Sequence, residues 1–221
     1  MVNDDDDANV PAIPGKNPYE QYAEQTDTQR WLGALLKFTK GDYLVGRDAE
    51  ECPETEVVAL MQGMLHGWIR WEDNYPVDHK MGPLLEGHVP DARDKLGYLD
   101  EAQWEVDGNG KVRDPWQLSV YPPVISINAE TVYTFATNSD GGRRRAIGPL
   151  CKEYGARIRQ YPDEVPIVKL DQDSYMHPDH RIGRVKYPLF PVQRWVKAEP
   201  YLAAVMTLTG KSLKLSPPAA A

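Results

Sequence analysis

Apolar and polar positions in this chain follow the two-residue period of strands more often than the period of helices. Near the start, Trp31, Leu32, Leu35 and Leu36 stand at i, i+1, i+4 and i+5, which predicts one short amphipathic helix capped by Asp27 or Thr28. The period then shortens. Tyr43–Val45 reads as a brief strand and residues 57–71 as a long one, interrupted by Gly63 and Gly67, where a bulge or sharp bend is expected. Trp116–Tyr121 and Val124–Ile127, taken together as one strand over 115–127, and Val132–Thr137 predict further strands, with a tight turn over Asn128, Ala129 and Glu130. Ala146, Ile147, Leu150 and Tyr154 return to helical spacing, and Gly148 and Pro149 delay or kink that helix. Val165–Leu170 is a strand. Residues 183–196 form the last one, which Pro188 and Pro191 restrict to a sheet edge or to a broken strand.

Residues 72–114 fit neither period and are too long for an ordinary connection, so they read as an irregular insertion. Within it, Asn109 and Gly110 mark a tight turn, Trp104–Val106 and Lys111–Arg113 flank a small hairpin, and Asp91–Tyr98 form a helical turn. The order βββαββ predicts an α+β, mostly β fold: an OB-like five-stranded Greek-key barrel with a helix between strands 3 and 4 and the long insertion between strands 1 and 2. That domain is expected over residues 28–200. A disordered acidic arm over 1–27, with four consecutive aspartates, precedes it, and a mobile tail over 201–221 follows.

Composition changes this picture mainly through charge. The net charge of −8 hides a division: residues 1–114 hold 24 acids and 11 bases, a net −13, whereas residues 115–221 hold 9 acids and 14 bases, a net +5. A basic surface is therefore expected in the C-terminal half, with the acidic half repelling polyanions or covering that surface. No apolar run approaches the roughly 18–20 residues of a membrane span, and the first residues lack a secretory signal, so a cytoplasmic location in a bacterial host cell without membrane contact is expected. Cys52 and Cys151 form no CxxC pair and read as free thiols.

The candidate chemistry centres on the segment 139–145, where Gly141 and Gly142 precede Arg143, Arg144 and Arg145 between a strand and a helix. Backbone amides at a helix start and forked guanidinium donors together form a landing site for phosphate. Lys152, Arg157, Arg184, Lys186 and Arg194 extend the positive charge, and Tyr133, Phe135 and Trp195 are the expected stacking rings. Asp171, Asp173, His177 and His180 are weak metal candidates, since their spacing matches no known ligand pattern and a polar loop explains them equally well. A PD…(D/E)xK nuclease arrangement fails at Ile167, which stands where an acid is required before Lys169. P-loop and GxSxG patterns are absent, and neither an enzymatic activity nor a cofactor is expected.

Three stretches, Arg113–Gln117 (RDPWQ), Tyr133–Gly142 (YTFATNSDGG) and Ala146–Gly155 (AIGPLCKEYG), resemble segments of phage- or prophage-encoded proteins, over about residues 30–197. The resemblance implies a setting in phage replication, recombination or counter-defence, where single-stranded DNA-binding proteins are common. The leading expectation is a non-enzymatic protein that binds single-stranded nucleic acid, with a host or phage replication or defence protein and a second copy of the chain as further candidate partners. Two rivals stand beside it. One is an acidic interaction module in which Glu50, Glu51, Glu54, Glu56, Glu72 and Asp73 imitate nucleic acid and inhibit or adapt a host protein; the other is a divalent-metal hydrolase built on the 171–180 cluster.

Overall fold

A computed structural model describes residues 31–73, 75–106, 110, 112–178 and 180–215. The acidic arm, the Asp27 or Thr28 cap, the Asn109 turn position and the chain end from 216 lie outside the described residues. The strands in chain order are β1 (Ala34–Thr39), β2 (Asp42–Val45), β3 (Glu50–Glu51), β4 (Glu56–Ala59), β5 (Leu65–Glu72), β6 (Tyr75–Pro83), β7 (Glu105–Val106), β8 (Val112–Arg113), β9 (Trp116–Tyr121), β10 (Pro123–Ser126) and β11 (Val132–Phe135). A π-type helical turn over Gly141–Ile147 then runs into a helix over Gly148–Arg157. After it come β12 (Glu164–Lys169), β13 (Asp171–Met176), β14 (Arg184–Leu189), β15 (Val192–Lys197) and a second helix over Glu199–Thr209.

The fold is α+β and mostly β, but the expected barrel does not close. Eight strands lie in the order β15-β12-β4-β10-β11-β1-β2-β3, with β15 and β3 at the two ends. Only β1 and β11 pair in parallel within it, matching Ala34 with Tyr133 and Leu36 with Phe135. The reason lies in two strands that the sequence presents as continuous. Residues 57–71 break at the turn Met61–Gly63 into β4 and β5, and residues 116–127 break at Pro122 into β9 and β10. The two strands bend together. On one side of the bend β4 and β10 pair inside the large sheet; on the other, β9 pairs with β5, whose other edge pairs with β6, in a separate three-stranded sheet. Gly67 within β5 has φ +148, and a Cβ there would stand 2.1 Å from the Lys80 carbonyl oxygen, so this strand admits no side chain at that point.

The central strands of the large sheet are buried on both faces. Val57, Val58, Ala59 and Leu60 are all fully buried, and because successive strand residues point to opposite sides they feed two cores. Val57 and Ala59 join Leu36, Val124, Tyr133, Phe135, Leu150 and Tyr154, under the Gly148–Arg157 helix. Val58 and Leu60 join Ile125, Val165, Ile167 and Val205, under the Glu199–Thr209 helix. This second helix replaces the mobile tail expected from residue 201: Ala198 and Val205 are completely buried and Tyr201 and Leu202 pack beside them, so apolar contact orders the segment.

The short helix expected around Trp31–Leu36 is instead the approach to β1 and its first three residues. Leu32 donates its amide to Thr134 Oγ1 and accepts the Thr134 hydroxyl on its carbonyl, and Leu32 and Leu36 enter opposite cores. Pairing with β11 thus overrides the local spacing. Two expectations for the insertion agree with the structure: β7 pairs with β8 as a small hairpin, and Arg93–Leu96 form a helical turn. Arg93 holds this segment to the start of β9 by a forked pair with Asp114, both contacts at 2.7 Å. The Pro-containing last segment is broken into β14 and β15, and β15 lies at the sheet edge.

Phe135, with no exposed surface, sits at the centre of the core beneath the Gly148–Arg157 helix. Phe135→Ala is expected to lower unfolding stability by about 3–5 kcal/mol, read as a shifted urea midpoint with unchanged slope.

Candidate nucleic-acid interface

The Gly-Gly-Arg segment begins where β11 leaves the sheet, and glycine is needed there for close packing. A Cβ on Gly142 would meet Thr137 Oγ1 at 2.2 Å, and one on Gly141 would meet the Tyr187 Cβ at 2.8 Å. The helical turn is thereby pressed against the β13–β14 hairpin. Its start is partly satisfied from within: Ser139 Oγ accepts the Gly142 amide at 3.0 Å and the Ser139 carbonyl accepts the Arg143 amide at 2.9 Å. The Asp140 carboxylate then stands where an anion is expected, 2.7 Å from Arg143 Nη2 and 3.5 Å from Arg144 Nε. Arg144 remains 78% exposed.

Arg145 is held differently. Its guanidinium lies over two rings, 4.4 Å from the centroid of Tyr187 and 5.0 Å from that of Tyr175. Asp173 accepts the Tyr187 hydroxyl at 2.8 Å. The Ser174 amide, that hydroxyl and the nearby Arg145 charge together hold the Asp173 carboxyl below its usual range. The hairpin that carries these rings is fixed at its base by Tyr43, whose hydroxyl is shared between the carbonyls of Asp171 (2.7 Å) and Leu189 (3.1 Å). Burial pushes the Tyr43 phenol well above its ordinary range, so it remains a donor.

At the far end of the helical run a similar group forms. Arg157 lies 3.9 Å from the centroid of Tyr161 and 5.4 Å from that of Trp195, while its Nη2 meets Glu164 at 2.7 Å. Trp195 also stacks on Tyr154, at 6.4 Å and 16°. Lys152 and Arg159 are exposed between and beyond these anchors.

The expected residues therefore do not form one site. Arg143, Arg144, Arg145, Lys152 and Arg157 follow one helical run, and Trp195 joins them from β15. Arg194, the next residue along that strand, points to the other face, where it pairs with Glu56 at 2.9 Å. Arg184 and Lys186 occupy the hairpin face opposite Tyr187: Arg184 donates to Ser174 Oγ, and Lys186 packs against Gly41. Tyr133 and Phe135 are corrected outright. They are 4% and 0% exposed, inside the core, because β11 is covered on both faces.

Tyr175 and Tyr161, 37% and 41% exposed, are accessible rings beside these arginines that were not among the expected stacking rings Tyr133, Phe135 and Trp195. Tyr175 lies in a stretch expected to be a polar loop, which is instead strand β13. The alternation of Asp171, Asp173 and Tyr175 on one face was the available signal.

That strand also disperses the weak metal candidates. Asp171 pairs with Lys169 at 2.9 Å, Asp173 holds Tyr187, and His177 and His180 belong to the turn beyond. Among the described residues no three His, Cys, Asp or Glu side chains gather in a metal-holding group. Neither cysteine has the setting of a nucleophile. Burial pushes both the Cys52 and Cys151 thiols above their usual range, and Cys151 Sγ lies against Met64 Sδ at 3.9 Å.

A raised thiol pKa leaves less thiolate at a given pH, so both cysteines are expected to react with iodoacetamide at pH 7.5 more slowly than a free thiol, until denaturant equalises the rates. Mass spectrometry of timed aliquots measures this. Comparison of the chain with protein-family models, with curated proteins and with solved structures finds no match in any of the three.

Proposed function

We propose that the protein binds single-stranded nucleic acid along the outer side of the Gly141–Arg157 helical run and performs no chemistry on it. One observation carries this: a cationic ridge, with Arg144, Lys152 and Arg159 exposed, ends on each side in an arginine–tyrosine stack whose outer tyrosine, Tyr175 or Tyr161, faces solvent. The ten-residue helix between the stacks spans roughly 15 Å at 1.5 Å per residue, enough for a few nucleotides. Charges along such a ridge follow the phosphates while the rings accept bases of any sequence.

The Asp140 pairs support the same conclusion. Asp140 is 68% exposed, and ion pairs at the surface contribute about 0–1 kcal/mol, so a phosphate group displaces Asp140 at little cost and gains Arg144 and the half-buried Arg143. The resemblance of residues 113–117, 133–142 and 146–155 to phage proteins supports a role in phage replication, recombination or counter-defence. A second reading draws on the opposite end of the sheet, where β3 is Glu50 and Glu51, both exposed on an edge strand. There the chain acts as an acidic module that occupies a basic groove on a host protein.

Fluorescence anisotropy with labelled single- and double-stranded oligonucleotides across a salt series separates the two. The chain is expected to prefer the single strand, and the double variant Arg144→Ala, Lys152→Ala to lower the log K against log salt slope by about 1.4, from about 0.7 per lost contact. Tyr175→Ala is expected to cost about 1–3 kcal/mol of binding. Asp140→Asn strengthens binding, and Arg194→Ala, on the other face, leaves it unchanged. No single-strand binding at low salt, or an equal loss in Arg194→Ala, overturns the proposal and favours the acidic module.

A further inference from the structure

The 72–114 insertion closes a pocket that the nucleic-acid proposal leaves without a task. It lies at the end of β5, where the turn Glu101–Gln103 and β7 pack beside it, and its cavity volume is about 150 Å³. Three aromatic residues, Trp71, Tyr98 and Trp104, and three carboxylates, Glu72, Asp100 and Glu105, line it, against Arg70 as the one base among its lining residues. Neither wall belongs to the cationic ridge.

The pocket wall already accommodates a cation. Arg70 places its guanidinium 4.6 Å from the centroid of Tyr98 and pairs with Glu72. Asp100 and Glu105 meet neutral donors instead: Asp100 accepts from the Ala102 amide (3.1 Å) and from Gln103 Nε2 (2.9 Å), and Glu105 accepts from the Asp73 amide (2.8 Å). These bonds orient the two carboxylates; Glu105 stands opposite Arg113 across the β7–β8 pair, and Arg93 lies 5.6 Å from the centroid of the Trp104 ring. Trp104 is fixed through its indole N–H, which donates to the Tyr98 carbonyl at 2.8 Å. The rings and the acids are thus preorganised around one opening, with Tyr98 half exposed at its mouth.

Aromatic faces attract a cation through the ring quadrupole, and carboxylates add a Coulomb term; methylated ammonium groups suit this best because they resist dehydration least. Size decides the class of ligand. Drug-sized molecules need cavities of roughly 300–1,000 Å³, so this one admits a small headgroup and little more. We propose that the pocket formed by Trp71, Tyr98 and Trp104 with Asp100 and Glu105 binds a quaternary ammonium group of the choline type. Two sources offer that chemistry, a free solute and a phosphatidylcholine headgroup.

The test is a nitrogen-15 NMR titration of the full chain, following the indole N–H signals of Trp71 and Trp104. Tetramethylammonium and choline chlorides are compared with sodium chloride at equal ionic strength and with the neutral carbon isostere of choline. Saturable shifts of these two signals are expected with both ammonium compounds, and about ten-fold weaker binding in the variant Asp100→Asn, Glu105→Gln, which keeps the shape of the pocket and removes its charge. Trp104→Leu is expected to abolish the response; where that variant fails to fold, the acid-to-amide variant alone decides. No saturable shift of either indole, an equal response to the neutral isostere, or undiminished binding by the acid-to-amide variant overturns the proposal. Competition of phosphatidylcholine vesicles with free choline assigns the headgroup as the source, and its absence assigns the solute.

Discussion

Everything in this structure depends on the burial of four adjacent strands, β12, β4, β10 and β11, on both of their faces. Strands without a solvent face need cover twice, and here one helical segment supplies it on each side. Leu150 and Tyr154 anchor the first against Val57, Tyr133 and Phe135; Val205 anchors the second against Val58, Leu60 and Ile125. The inner side of the first segment is thus committed to the core, and its outer side is left to carry Arg144, Lys152 and Arg159. The position of the positive charge is a by-product of core packing.

Charge is then balanced locally rather than between the two halves of the chain. Arg143 and Arg144 share Asp140, Arg157 meets Glu164, and Arg194 meets Glu56. Of these four contacts only the last reaches into the acidic N-terminal half. Arg145 is stabilised over Tyr175 and Tyr187. Guanidinium groups tolerate this because their weakly hydrated planar faces lie on rings while their edges still donate hydrogen bonds. The overall acidity of the chain therefore says little about the surface that the helical run presents.

Much of the local structure was legible in the sequence, and the reasons for the misses are physical. Val132–Phe135, Val165–Lys169 and the helix through Leu150 and Tyr154 followed their periods because pattern and tertiary environment agree there. Leu32 and Leu36 misled because their spacing also suits a helix, and the choice was made by Thr134 and the partner strand β11. The bend expected at Gly63 is present, but the barrel expectation failed because Met61–Gly63 and Pro122 turn two paired strands together into a second sheet, and that they are partners is not visible in the sequence. For the candidate site, the arginines before the helix were legible and their company was not. Tyr133 and Phe135 looked like stacking rings because aromatic residues in strands serve both roles, and only burial on both faces of β11 assigns them to the core.

The β13–β14 ribbon continues the β12–β15 pair past the edge of the core; Tyr43 ties its base, and the Gly141–Ile147 turn packs on Tyr187 near its middle. Beyond that tie its outer pairs, such as Met176 with Arg184, are exposed and bury almost nothing. Such a segment opens at a smaller free energy than the sheet from which it grows, so its amide protons exchange through local opening while the large sheet stays shut. Tyr175 rides on that segment and Arg145 does not. A molecule that touches both therefore binds only the closed ribbon, and its affinity is linked to the ribbon's opening equilibrium rather than to the stability of the whole protein.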